Sequence, residues 1–405
     1  MQYISKIEWW IAALLPFQIF TISIFGKYSF ALIFFFSFIF FIKNFLISRF
    51  NGLIPYLVFI AAIFLSIIIS KSIVQSLVNT SALILATSIL AYFDFRREDF
   101  IAYHKGTLFS FLIISFALII EILGQIFFGK TFHGFFHKIF ILFPDGGSIN
   151  LFNTFHNCSN YIDLSTNLFC RPYGFSSEPS YLSIYFVTAA IYFYKIKLFK
   201  YSIVSSIAVF LVNSTIGIII FVIFLLHVIF ENIRSKNFSA NDVMKIFIAL
   251  GFFLLFIFLT IDLDLMIWKI NAAFNNLTLA LTNDIPAARF EYLFVLKKFF
   301  LDASLSEIFF GLSNVSQFTQ NYSYNALPIL NTFADMILQF GVIGFLTLLY
   351  FLTTFSRDAL KYNRLLFLLT VIILLSFSSI IYQYYIWHII FFYVVLFNVK
   401  PEYVN

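Results

Sequence analysis

The segment Ala31-Leu32-Ile33-Phe34-Phe35-Phe36-Ser37-Phe38-Ile39-Phe40-Phe41-Ile42 decides the fold class. One hydroxyl, Ser37, interrupts it, and nothing in it alternates between apolar and polar. Phe111–Ile120 repeats the pattern, broken only by Ser115. Strands of a transmembrane barrel alternate apolar and polar residues, so runs of this kind exclude a barrel and call for helices. The rest of the chain is similar: 61% of its 405 residues are hydrophobic, 11% are charged, and the mean hydropathy is +0.96. Soluble domains carry about 25% charged residues; a soluble chain this poor in charge would coat itself with Leu, Ile and Phe and precipitate. A membrane-crossing helix needs about 20 mainly apolar residues. The sequence therefore reads as an all-α, polytopic integral membrane protein of about twelve spans, on the order of 240 residues in the bilayer.

Apolar runs and charged breaks predict spans near 7–25, 28–47, 53–70, 73–93, 106–128, 181–199, 201–230, 244–261, 333–355 and 365–398. Taken as one helix, 201–230 would be about 45 Å long, well over the ~30 Å hydrocarbon core. It would also put Lys195, Lys197 and Lys200 across the membrane from Arg234, Lys236 and Lys245. Splitting it at Asn213-Ser214-Thr215 puts both clusters on the cytoplasmic side, as the positive-inside rule prefers. The run 365–398 splits similarly around Ser378–Gln383. Both termini are then cytoplasmic, and two long loops, 129–180 and 262–332, face outward from a single membrane domain, 1–405. The first helix reads as a retained span, since no small-residue cleavage site follows it.

The 62 Phe, 22 Tyr and 4 Trp could stack on sugar rings. Lipid asks only for apolarity, so most of them read as lipid-facing. The net charge of +6 is scattered rather than clustered, and no nucleic-acid partner is expected. Walker A, Rossmann and Gly-x-Ser-x-Gly patterns are missing from the sequence. His133, His137, His156 and Cys158 match no metal-ligand spacing, so no metal and no cofactor is expected. Cys158 and Cys170 share the first long loop and read either as a disulfide or as two free thiols.

Chemistry is expected where polar residues persist. The first loop ends in Arg171-Pro172-Tyr173-Gly174-Phe175-Ser176-Ser177-Glu178-Pro179, where two prolines stiffen the chain beside the membrane. Arg171 and Glu178 read either as a surface ion pair or as ligands. In the second loop, Ala288–Asp302 alternates charges with Phe and Leu at helical spacing, as an interfacial helix does; Arg289 opens it. Two outward arginines suit a diphosphate, because guanidinium forms bidentate hydrogen bonds to phosphate oxygens. Inside the apolar runs, Glu121, Ser214, Asn331, Asp335, Gln339 and His388 are the polar exceptions, and burial of such groups points to function. Most lie toward the outer face, which predicts a cavity that opens outward.

In their order, these segments resemble the O-antigen polymerase (Wzy-type) family, related to the O-antigen ligases. Arg171–Pro179 resembles the family's Arg-x-x-Gly-x-x-x-Glu-Pro stretch before a span. Asn213-Ser214-Thr215-x-Gly217 is similar to its Ser-rich turn. Arg289, Gly311, Asn331-Thr332 and Gly341-Val342-Ile343-Gly344 resemble its C-terminal pattern. Ligases carry His-Asn where this chain has Leu330-Asn331, which favours the polymerase. The resemblance implies a metal-independent, lipid-carrier-dependent glycosyltransferase of the bacterial inner membrane, acting in lipopolysaccharide or other polysaccharide biosynthesis. Its substrate would be an undecaprenyl-diphosphate-linked oligosaccharide, and a chain-length regulator is a further expected partner. Arg171 and Arg289 would bind the diphosphate; Glu178 or Asp335 would be the catalytic base; Glu121, Ser214 and Asn331 would line the cavity. A ligase and a lipid-linked oligosaccharide flippase are the alternatives. A flippase would show paired pseudo-repeats and polar residues in both membrane halves.

Overall fold

The computed structural model of the chain describes residues 6–17, 21–24, 28–46, 53–69, 83–84, 87–89, 97–132, 135–136, 172, 179–212, 214–234, 271, 291–312, 315–322, 331–359, 364–376, 387–392 and 395. Apart from one two-stranded ribbon, the elements in these residues are helical. Two helices are long and apolar enough to cross a membrane: α4 (Arg97–Phe128) and the part Thr332–Thr354 of α11 (Thr332–Ala359). Shorter apolar helices surround them, among them α3 (Leu53–Ile69), α6 (Phe199–Val212) and α7 (Thr215–Arg234).

The ribbon corrects the expected spans 7–25 and 28–47. Helix α1 ends at Leu14 (Ile7–Leu14), and Thr21–Ile24 (β1) pairs antiparallel with Tyr28–Ala31 (β2) before α2 (Leu32–Leu46) begins. Thr21, Ile22 and Ile24 of β1 are β-branched and Tyr28 and Phe30 of β2 are aromatic, as strands prefer. Thr21-Ile22-Ser23-Ile24 alternates polar and apolar residues and Gly26-Lys27 follows, a short strand-and-turn signal overshadowed by the longer apolar runs on either side.

The expected break at Asn213 is present. Helix α6 stops at Val212 and α7 starts at Thr215, with Ser214 buried between them. Helix α5 (Pro179–Lys195) runs back along α6, and α7 packs on α5 as well. Pro179 suits the first helical position, where its missing N–H costs no helical bond. A tight turn closes the α5–α6 hairpin: Leu198 N–H donates to Phe193 O (2.8 Å), Lys197 N–H donates to Tyr194 O (3.1 Å), and Lys197 takes φ 63°. This is the Schellman pattern with lysine in the place usually held by glycine.

Helix α5 is the centre of the bundle. Every residue from Tyr181 to Phe193 is buried, so the helix is covered on all sides. Gly217 lets α7 approach so closely that a side chain there would collide with Ser183. Two tyrosine hydroxyls buried here find partners, Tyr185 with Ser110 (2.8 Å) and Tyr192 with His104 (2.7 Å), both on α4. Thr188 donates to Ile184 O (2.8 Å), and the Ser183 hydroxyl, beside Gly217, is left unmatched among the described residues. Ser202 of α6 donates to Ala190 O (2.8 Å). Interiors demand such pairing, since an unmatched buried polar group costs about 1–3 kcal/mol.

The outward surface is apolar too. Ile54, Leu57, Val58, Phe64, Leu65 and Ile68 of α3 are exposed along one helical stripe, opposite the buried Tyr56, Phe59, Ile63 and Ile67. Helix α4 repeats this with Leu112, Phe116, Ile119, Leu123 and Phe127. Helices with apolar residues on both faces suit a lipid solvent. At one end of the bundle, charges tie three helices together. Lys6, just before α1, bridges Glu98 (2.9 Å) and Asp99 (3.9 Å) at the start of α4, and Lys43 at the end of α2 bridges Glu8 of α1 (2.5 Å). The Glu98 hydrogen bond holds the Lys6 ammonium above its ordinary pKa, against a smaller opposing effect of burial.

Candidate functional site

The first half of α11 gathers the polar residues that the sequence singles out near its C-terminal end. Asn331 is the N-cap: its Oδ1 accepts from Ala334 N–H (2.9 Å), the role for which Asn is favoured. Its Nδ2 donates to Ser376 O (2.9 Å), the last residue of α12 (Arg364–Ser376). Tyr292 of α8 (Glu291–Asp302) lies near the same carboxamide. One buried side chain thus ties the start of α11 to the end of α12, with α8 beside them. Burial raises the pKa of the Tyr292 phenol above the ordinary tyrosine range, while the nearby Asn331 amide works against that rise.

One turn on, Asp335 is half-buried, and its Oδ1 accepts from Gln339 Nε2 (2.7 Å). Asn331, Asp335 and Gln339 follow one another at i, i+4 spacing and therefore share a helix face. The sequence places Asn331 in the cavity wall and Asp335 in a catalytic role; the structure brings the two to the same face.

Immediately after this stripe the helix is interrupted. Gly341 has φ 68° and ψ −174°, a region open essentially to glycine alone. The interruption turns carbonyls to partners outside α11: Leu338 O accepts from Leu312 N–H (2.8 Å), and Ser66 Oγ of α3 lies 3.4 Å from Gln339 O. Ser66 also donates to Phe310 O. Phe310 ends the short helix α9 (Leu305–Phe310), and Gly311 (φ 91°) follows it. Each glycine lies against the backbone of the other segment, Gly311 on Gln339 and Gly341 on Phe309, with no room for a Cβ at either position. A satellite core of Val295, Phe299, Leu312 and Leu338, with Phe318 of α10 (Val315–Tyr322) at its edge, clamps α8 beside this crossing.

Ser66, and the crossing that Gly311 and Gly341 make with each other's segments, are what sequence reasoning missed. Gly341-Val342-Ile343-Gly344 was visible as a pattern, and glycine inside an apolar run signals close backbone approach. A serine in α3 carries no such signal. Glu121 is fully buried on α4, and Ser214 is buried at the α6–α7 break. His388 is a core residue whose Nε2 lies 2.6 Å from Ser37 Oγ. Arg171, Glu178 and Arg289 lie outside the described residues, as do His133, His137, His156, Cys158 and Cys170. Comparison with protein-family models, with curated proteins and with solved structures finds no match for this chain.

Proposed function

We propose that the chain is a polymerase of undecaprenyl-diphosphate-linked oligosaccharide repeat units in a bacterial inner membrane. In this reading it has about twelve spans, both termini are cytoplasmic and both long loops face outward. The observation that carries it is the Asp335–Gln339 pair on the first half of an interrupted, membrane-length helix, with the loop helix α8 packed against it through Val295, Phe299 and Leu338. A half-buried carboxylate beside an outer loop is where a sugar hydroxyl and a lipid diphosphate could meet. The order of the motifs around Arg171, Asn213, Arg289 and Gly341 supports the same reading.

The reaction follows from these residues. The hydroxyl at the non-reducing end of a new lipid-linked repeat attacks the anomeric carbon of the growing glycan. The bond from that carbon to the diphosphate oxygen breaks, and the carrier leaves as undecaprenyl diphosphate with the electron pair. The hydroxyl proton passes to Asp335 or Glu178 as general base. Arg171 and Arg289 stabilise the charge that builds on the leaving diphosphate, which is worth most where donors are positioned in advance.

An interrupted helix also suits a transporter, whose binding sites are built at such breaks; a flippase is therefore the second reading. Deleting the gene and separating the cell's lipopolysaccharide on a gel distinguishes the two. Loss of a polymerase leaves core bearing a single repeat, and loss of a flippase leaves core with none. Complementation with Arg171→Ala, Arg289→Ala or Asp335→Asn should restore protein level without long chains. Normal chain length with both arginine variants would remove the diphosphate role.

A further inference from the structure

We propose that residues 300–310, the end of α8 together with α9, are a re-entrant segment seated in the bilayer leaflet where α11 begins, with Phe300, Leu301, Leu305 and Phe309 turned to lipid. This goes beyond the polymerase reading and does not depend on it; it rests only on the chain being embedded in a membrane.

Depth is the first argument. The end of α9 lies against Gln339, seven residues into the span-length helix Thr332–Thr354, or about 10 Å along its axis. A hydrocarbon core of about 30 Å leaves such a position inside the apolar layer rather than above it. The second contact agrees: Ser66, which donates to Phe310 O, is flanked on α3 by the exposed Phe64, Leu65 and Ile68. Whatever solvent those side chains meet therefore also meets α9.

Surface is the second argument. Leu305 is 74% exposed and Leu301 68%, with Phe300 and Phe309 about half exposed. In water this would be an uncovered apolar patch on a loop. Beside α3 it continues a surface that is already apolar. Lys297 is exposed one turn earlier, and Lys298 lies over the Phe294 ring at 5.7 Å. The turns that follow interleave Phe300, Leu301, Leu305 and Phe309 with the exposed Asp302, Ser304 and Ser306, a mixture suited to the boundary where a segment passes from headgroups to acyl chains.

Backbone satisfaction is the third. Non-helical chain survives at membrane depth only if its polar groups are matched within the protein. The start of α9 is closed by a capping box: Ser304 N–H donates to Glu307 Oε2 (2.9 Å), and Ser304 Oγ accepts from Glu307 N–H. At its end, Gly311 N–H donates to Glu307 O (2.7 Å), Leu312 N–H donates to Leu338 O, and Ser66 serves Phe310 O. These bonds meet at both ends of α9 the requirement that lipid imposes.

The test uses the full chain in phosphatidylethanolamine–phosphatidylglycerol nanodiscs, with Cys158 and Cys170 replaced by Ser. Single cysteines at Leu305, Phe309, Ile68 and Lys297 carry a nitroxide, and power saturation compares collision with oxygen and with a water-soluble nickel chelate. Leu305→Cys and Phe309→Cys should match Ile68→Cys, with an oxygen-to-nickel ratio severalfold above that of Lys297→Cys. The four side chains are surface groups; Phe300→Cys replaces Phe309→Cys if that variant fails to assemble. Water-like values at Leu305 and Phe309 with lipid-like values at Ile68 would overturn the inference while leaving the membrane reading intact. Water-like values at all four sites would remove both. Shielding from both reagents at Leu305 would show that protein covers the face, which also overturns it.

Discussion

Asn331 uses both ends of its carboxamide: the oxygen accepts from an α11 N–H and the nitrogen donates to the last carbonyl of α12, with the Tyr292 phenol of α8 nearby. It therefore works first as a cap and a brace, and only through that position on the Asp335 face. Asn331→Ala removes the cap and leaves Ser376 O without its donor, so it should cost about 1–2 kcal/mol. Asn331→Asp keeps the acceptor toward Ala334 and loses only the donors, so its midpoint should fall between wild type and Ala. Thermal unfolding of the purified chain in detergent checks both. Equal midpoints for Asn331→Ala and wild type would mean that the brace carries no stability. The brace was half legible: Asn before an apolar helical run is a capping signal. Ser376 and Tyr292 stand 45 and 39 positions away, and no local pattern ties them to it.

At the scale of elements, the crossing of α9 and α11 depends on two glycines whose backbone angles other residues rarely take. Gly341→Ala places a Cβ against the Phe309 carbonyl as well as straining φ, and should destabilise by about 3 kcal/mol. Gly311→Ala disturbs the same contact from the other side. The double variant should therefore lose less than the sum of the singles, since residues in contact are not independent. Denaturation midpoints of the four proteins test this, and strict additivity would contradict the shared crossing. The elements were unevenly legible from sequence. The break at Asn213 was readable because Asn, Ser and Thr interrupt an otherwise apolar run, and the helix after Arg289 because its charges follow helical spacing. The β1–β2 ribbon was overlooked, because its alternation in Thr21–Ile24 spans only four residues between two long apolar runs. The interruption at Gly341 was not legible, because glycine inside a helix changes no periodicity.

For the whole molecule, the charged end of the bundle is the cheapest place to test assembly. Glu8 is 2% exposed and is held by Lys43, whose side chain still reaches solvent. Lys43→Met would leave a buried carboxylate without its cation and should cost about 2 kcal/mol, below the full penalty of an entirely buried pair because Lys43 is partly solvated. Adding Glu8→Gln should recover much of that loss. A double variant no better than Lys43→Met would show that the ion pair is not what holds α1 to α2. That charged residues sort to helix ends was legible from the sequence; which of them pair was not, because Lys6 and Glu98 are separated by 92 positions.

The burial of α5 on every side also sets an order of manufacture. Its walls include α4, made before it, and α6 and α7, made after it. Phe392, against Tyr192, is a further wall made near the end of the chain, so the ribosome must deliver almost the whole chain before the central helix is enclosed. Until α6 follows, the Tyr185 and Tyr192 hydroxyls have their α4 partners Ser110 and His104, while the rest of the helix surface, away from α4, is uncovered. A nascent chain halted before α6 should remain open to insertion chaperones and membrane proteases, one halted after α7 should be less open, and closure should be complete only when Phe392 is in place.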